Sequence, residues 1–194
     1  MPYVPRTSTT SPTAMQDNPW WYSTGNIYYP TYGLPNCTCY CYGRVGEYSG
    51  AFDTRLPGGN GGQWWPNAAA AGILPMGQTP ALGAIACYAD LNGNYLGHVS
   101  IVEEIDSAGY IRTSNSGWPS TYFWYSNWLT PGDYTEPWMH QPGSSGLPRD
   151  YYCQGFIYVY ELPPTPGGSD DYYMLWLQNE RLKKNGHNRK RARK

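Results

Sequence analysis

The sequence predicts an α+β domain flanked by tails. Three features carry that reading: a helical stretch that opens at Cys37, three β-rich runs that follow it with no long helix between them, and polar segments without apolar periodicity at both ends. The 194 residues suffice for one domain plus extra segments, since single domains cluster near roughly 100–150 residues.

Residues 1–18 are rich in Ser, Thr and Pro, which reads as an extended arm unable to form a core alone. The body begins near Asn18-Pro19-Trp20 and runs to residue 162. Pro35 ends an extended segment, Asn36 leads into Cys37-Thr38-Cys39-Tyr40-Cys41-Tyr42, and Gly43 or Gly46 is expected to stop this helix, which leaves Cys37 at its N-terminus. Four of the five residues from Gly58 to Gly62 are glycine, a flexible loop by composition, and the alanine run Ala68–Ala71 makes a short helix stopped at Gly72. Ala84–Ala89, His98–Ile105 and Tyr110–Thr113 are separated by Asn92-Gly93-Asn94 and Ser107-Ala108-Gly109, which predicts a small antiparallel meander, with a last strand over Phe156–Tyr160. The third segment, 163–194, opens on a Pro/Gly break. Asp170 and Asp171 then stand at a helix start, and Tyr172, Tyr173, Leu175, Trp176 and Leu182 give 170–185 an apolar face.

Charge divides the same way. Residues 1–162 carry 5 Arg, no Lys and 11 Asp or Glu, a formal −6, whereas 163–194 carry 8 Lys or Arg against 3 acids, a formal +5. A short basic tail on an acidic body argues against a nucleic-acid-binding protein. No run approaches the roughly 18 apolar residues of a membrane span, and Met1–Arg6 lacks the layout of a signal peptide, so synthesis in the cytosol is expected. The five cysteines include Cys37, Cys39 and Cys41 at a spacing where helix side chains diverge, so free thiols rather than disulfides are expected, and the absence of a C-x-x-C pair argues against zinc. Tyr and Trp number 20 and 9 against 3 Phe, a balance suited to grooves as well as cores.

A cysteine at a helix N-terminus meets unpaired backbone N–H groups and the positive end of the dipole, which should lower its pKa below the free value of roughly 8.5. Such a nucleophile needs an imidazole. His187 lies in the basic tail and His140 in the loop Trp138-Met139-His140-Gln141-Pro142, whereas Gly97-His98-Val99-Ser100 places His98 at the head of a strand, a rigid mount for a base. Any of Trp64, Trp65, Trp118, Trp124, Trp128 and Trp138 could line a groove; one or two are expected to.

Three blocks in order, Asn36-Cys37-Thr38-x-Tyr40-x-x-Gly43-Arg44, Pro80-x-x-Gly83-Ala84-Ile85-Ala86 and Gly97-His98-Val99-Ser100-Ile101-Val102-Glu103, resemble the CHAP family, the cysteine, histidine-dependent amidohydrolases and peptidases. The resemblance spans about residues 20–162 and implies a papain-like α+β fold, in which a helix carrying the nucleophile packs on an antiparallel sheet carrying the base. It further implies Cys37 as nucleophile, His98 as base, and cleavage of peptidoglycan amides. The family's orienting acid falls on Asn115 and its later Asn on Gly117, so only Asn115 is carried over, as the third member of a Cys-His-Asn set. The Cys37 N–H is the first expected oxyanion donor, with Asn36 and Tyr32 as candidates for the second. Some relatives bind calcium through aspartates before the cysteine; Tyr28–Leu34 contains no carboxylate, so no metal or other cofactor is expected.

The expected function is therefore a peptidoglycan hydrolase, either an N-acetylmuramoyl-L-alanine amidase or an endopeptidase, and of phage lysin type. The segments 1–18 and 163–194, read as docking elements toward other virion tail proteins, favour a virion-borne tail lysin over a free endolysin, located in the virion or in the host cytoplasm before lysis. The alternative from another class is an idle CHAP-like structural component of a particle, against which the paired Cys37 and His98 argue.

Overall fold

The computed structural model describes residues 3–8, 15, 18–93, 96–141, 149–160 and 162. The helix expected over 170–185 and the basic run after it lie outside these residues, as does His187. The chain divides into one unit over Met1–Glu161 and another over Leu162–Lys194, and all the described helices and strands belong to the first.

The architecture is α+β. Helix α1 (Cys37–Ser49) and the short helix α2 (Trp64–Ala71) precede six strands, β1 (Met76–Gly77), β2 (Ile85–Asp90), β3 (His98–Ile105), β4 (Ile111–Gly117), β5 (Thr121–Tyr125) and β6 (Tyr151–Ile157). All pair antiparallel in the order β1-β6-β2-β3-β4-β5. Helix α1 packs on β3 and β4, and nine consecutive residues from Thr38 to Gly46 are buried. The segment before α1 covers its other side: the Trp21 indole donates to Tyr40 O at 3.0 Å, and the buried Asn26 amide donates to Trp20 O and Cys39 O.

That cover explains why α1 does not stop at Gly43 or Gly46 as expected, but continues to a left-handed cap at Gly50. A Cβ on Gly43 would stand 2.5 Å from the Trp21 ring, and one on Gly46 2.6 Å from the Trp20 ring. These glycines let two indoles lie against the helix backbone, and the burial so gained offsets their poor helix propensity, a cost of about 1 kcal/mol each. Much of the aromatic content is therefore core: Trp21, Trp64, Tyr40 and Tyr42 are buried, and Tyr28 bridges Tyr42 and Trp64 through ring contacts. The five cysteines are free, and Cys39, Cys41 and Cys87 are completely buried.

The sheet is longer than the meander expected from sequence. Strand β4 runs on to Gly117, and β1 and β5 lacked a legible signal. Strand β6 begins at Tyr151 rather than Phe156, because Cys87 opposes Gly155 while Tyr88 opposes Cys153, and this register shift at the glycine breaks the alternation that marks a strand.

One buried ion pair ties α1 to the sheet. Arg44, seven residues after Cys37, meets Glu103, five after His98, through two bonds, Nε to Oε1 at 2.9 Å and Nη2 to Oε2 at 3.0 Å. Glu103 is wholly buried and also accepts from Ser114 Oγ at 2.6 Å, Tyr3 Oη at 2.6 Å and the Arg6 N–H at 2.8 Å. The N-terminal arm is thus engaged at its start: Arg44 donates to Val4 O at 2.6 Å, Arg6 pairs with Glu47, and the Tyr3 ring contacts Tyr48 and Tyr160. The arm adds one side chain to the core, Met15, which is 1% exposed, and its polar start satisfies a carboxylate that burial would otherwise penalise.

Candidate active site

Asn36 caps α1. Its Oδ1 accepts from the Thr38 and Cys39 N–H groups, each at 3.0 Å, and from Thr38 Oγ1, while its own N–H donates to Ser116 Oγ on β4 at 3.2 Å. Cys37 therefore occupies the first turn of a capped helix, anchored to the sheet, and keeps partial exposure at a cleft of about 590 Å³ that His98 also lines.

His98 opens β3 and is 4% exposed. Its Nε2 lies 3.0 Å from Asn115 Oδ1 on β4, and Asn115 itself is completely buried. The Asn115 amide nitrogen donates to Thr113 O and Thr113 Oγ1, both at 3.0 Å. A backbone carbonyl can only accept, so these bonds fix which end of the amide faces the imidazole. Nε2 must then carry the proton and donate to Asn115 Oδ1, leaving Nδ1 as the basic nitrogen. The ring is boxed by Trp124, stacked at 5.6 Å, and Trp138, edge-on at 5.2 Å.

Burial sets the protonation of both groups. It pushes the Cys37 thiol up to about 11, against the opposing pull of the backbone N–H groups of Val99, Thr38 and Cys37 itself. This reverses the lowering expected from the helix N-terminus: desolvation of the sulfur outweighs the dipole. Burial likewise lowers His98 to about 4, with the Asn115 bond acting in the other direction. Both shifts favour the neutral forms of two groups that line the same cleft.

A pH dependence follows. The folded His98 titrates below its ordinary 6.5, so in the interval between 6.5 and about 4 the unfolded chain binds more protons than the folded one. This contribution to stability is complete above pH 6.5 and is lost as the pH falls toward 4. Relative to His98→Gln, which lacks the titration, the wild type is expected to lose on the order of 3 kcal/mol across that window. Urea unfolding of both proteins from pH 7 to pH 4 checks this; a constant difference would refute it.

The glycine-rich stretch is not a free loop. Gly61–Gln63 forms a 3₁₀ turn, the Gly62 N–H donates to Leu96 O at 3.0 Å, and a Cβ on Gly61 would stand 2.8 Å from His98 Cα. The missing side chain lets this turn lie against the strand start that carries the imidazole.

Of the other candidates, Tyr32 and Asn36 both line the cleft, Tyr32 being 61% exposed. His140 does not line the cleft and bonds Asp150 at 2.8 Å. Trp118, Trp124 and Trp138 line the cleft, one more than expected; Trp64 is core and Trp128 stacks with Arg112. Sequence reading missed Glu136, Arg149 and Tyr151, which come from the segment after β5 and have no local pattern. Glu136 is 8% exposed and accepts from the Trp124 indole at 3.0 and 3.2 Å; burial raises its pKa. Among the described residues no group of three or more His, Cys, Asp or Glu side chains could hold a metal ion, and no helix is long and apolar enough to cross a membrane.

Residues 25–117 match the CHAP domain family. A protein of Streptococcus mutans named as a hydrolase is 35% identical over 81 residues, 41% of this chain and 36% of the relative. The N-acetylmuramoyl-L-alanine amidase sle1 of Staphylococcus epidermidis is 31% identical over 100 residues, 48% of this chain and 29% of the relative. A solved N-acetylmuramoyl-L-alanine amidase from Staphylococcus aureus aligns with a TM-score of 0.41 and 23% identity over 50% of this chain and 27% of its own. The match thus spans between 27% and 36% of the length of these relatives.

Proposed function

Since residues 25–117 match the CHAP domain family, we propose that the protein hydrolyses amide bonds of bacterial peptidoglycan by cysteine catalysis, with Cys37 as nucleophile, His98 as base and Asn115 as the residue that orients the base. The observation that carries this reading is the fixed tautomer of His98, whose Nε2 is committed to Asn115 and whose Nδ1 is left basic at the cleft that holds the thiol.

In the proposed reaction His98 Nδ1 takes the thiol proton as the sulfur adds to the amide carbonyl, because a neutral pair has no thiolate prepared in advance. The Cys37 N–H and the Asn36 amide nitrogen, whose oxygen partner is occupied by the helix cap, are the donors for the oxyanion. Collapse breaks the C–N bond, and the imidazolium proton leaves with the amine. Water then attacks the thioester, giving its proton to His98 and releasing a carboxylate and the thiol.

Clearing of a suspension of purified walls tests the activity, and mass spectrometry of the released fragments identifies the bond as muramoyl-alanine amide or stem peptide bond. A wall suspension left turbid by folded protein would favour the idle structural reading. Asn115→Ala is expected to lower kcat roughly 10–100-fold, less than loss of the base itself, because an orienting amide contributes through His98; an unchanged kcat would assign the orientation of His98 to the Trp124 and Trp138 box instead. The family match and the name of the amidase relative support action at the cell wall. The narrower setting of a virion-borne lysin rests on segments 1–18 and 163–194 as docking elements toward tail proteins. Loss of co-sedimentation with particles on deletion of 163–194 would support it, and unchanged co-sedimentation would remove it.

A further inference from the structure

The cleft has two walls of different origin. Cys37, His98 and the glycine-rich turn lie within the matched family segment, whereas Trp124, Glu136, Trp138, Arg149 and Tyr151 lie after it. Among the described residues Arg149, on this second wall, is the only cation lining the cleft, and it has no ion-pair partner among them. Its neighbour Asp150 is engaged with His140. Among the described residues Glu136 is the one carboxylate lining the cleft; it is buried, it accepts from the Trp124 indole, and it forms no ion pair with Arg149. The Arg149 guanidinium lies 5.9 Å from the Trp138 ring centre, and Trp138 lies 5.2 Å from the His98 ring. The cation therefore stands no more than about 11 Å from the base, a span of roughly three extended peptide residues.

We propose that Arg149 forms an anion subsite that takes a free carboxylate of the substrate peptide within about three residues of the cleaved amide. The proposal rests on the hydrolase reading above and deepens it. A guanidinium presents a planar fork matched to a carboxylate, and stacking beside Trp138 keeps that fork at the cleft wall without satisfying its donors. A carboxamide in the same place offers one neutral acceptor and brings its own donors against the cation. The subsite thus distinguishes wall peptides with free acids from peptides amidated at the same position, independently of the chemistry at Cys37.

The test uses the full chain carrying Cys37→Ala, so that peptides bind without turnover. Pairs of synthetic wall stem peptides, identical except for carboxylate or carboxamide at one position, are titrated by calorimetry at low and moderate salt. The acid is expected to bind at least roughly tenfold more tightly than the amide, with the difference shrinking as salt rises. Adding Arg149→Met should bring the ratio to near unity, and Arg149→Lys should leave an intermediate ratio, since it keeps the charge without the fork. Circular dichroism confirms that each variant is folded. Equal binding of acid and amide, binding of neither, or a ratio that survives Arg149→Met would overturn the proposal. Clearing of walls by the wild-type chain, measured alongside, separates the two readings: clearing with a ratio of unity sinks only the subsite, and a turbid suspension sinks the hydrolase assignment.

Discussion

Cys37→Ala is expected to lower wall lysis by at least three orders of magnitude while leaving the unfolding midpoint within a few degrees of wild type. Removal of the sulfur deletes the atom that would form the thioester, and no neighbouring thiol can replace it: Cys39 and Cys41 sit on the same helix but are completely buried away from the cleft. The Cys37 side chain is partly exposed, so its truncation leaves no closed cavity. The opposite pattern is expected for Cys39→Ala and Cys41→Ala, which remove buried core atoms and should lower stability by about 1 kcal/mol or more with a smaller effect on rate. Turbidity clearing and thermal unfolding of the three variants decide the matter; more than about a tenth of wild-type lysis in folded Cys37→Ala would withdraw Cys37 as nucleophile.

The largest loss of stability is expected at Glu103. Glu103→Ala leaves the Arg44 guanidinium buried without its carboxylate and strands the donors of Ser114, Tyr3 and Arg6 that converge on it. Breaking one side of a buried pair costs about 3–5 kcal/mol, mostly through the charge left behind. Activity should fall as well in the fraction that remains folded, because Arg44 and Ser114 connect the helix of Cys37 to the strands of His98 and Asn115. If uncompensated charge is the main cause, Arg44→Met combined with Glu103→Leu should recover the larger part of the lost stability, since it removes the stranded guanidinium while the donors of Ser114, Tyr3 and Arg6 still lack their acceptor. Guanidinium unfolding of the single and double variants measures this; a single-variant loss below about 1 kcal/mol would mean that water or relaxation satisfies Arg44.

Several parts of the molecule were legible from local chemistry alone. The start of α1 at Cys37 follows from the Asn36 cap and Pro35. The start of β3 at His98 follows from the glycine before it and the apolar run after it. The α+β class follows from the order of these elements. Other signals misled because one residue type serves two purposes. Glycine ends helices, yet Gly43 and Gly46 continue one, since their use is to admit Trp21 and Trp20. Glycine loosens loops, yet Gly61 lies pressed against His98.

What the tertiary structure alone decided is long-range. The sequence by itself determined the residue types of the pair and their mounting at a helix start and a strand start. The direction of their pKa shifts was not determined by it, because burial depends on segments far along the chain: Trp124 and Trp138 wall in the imidazole from 26 and 40 residues away. The same holds for the five hydrogen bonds that Glu103 accepts, four of which come from α1 and the N-terminal arm. It holds too for Arg149, a cation at the cleft with no ion-pair partner among the described residues. Periodicity, caps and turns act over a few residues and leave a trace in the local sequence, whereas desolvation and charge pairing are set by which distant surfaces the fold brings into contact.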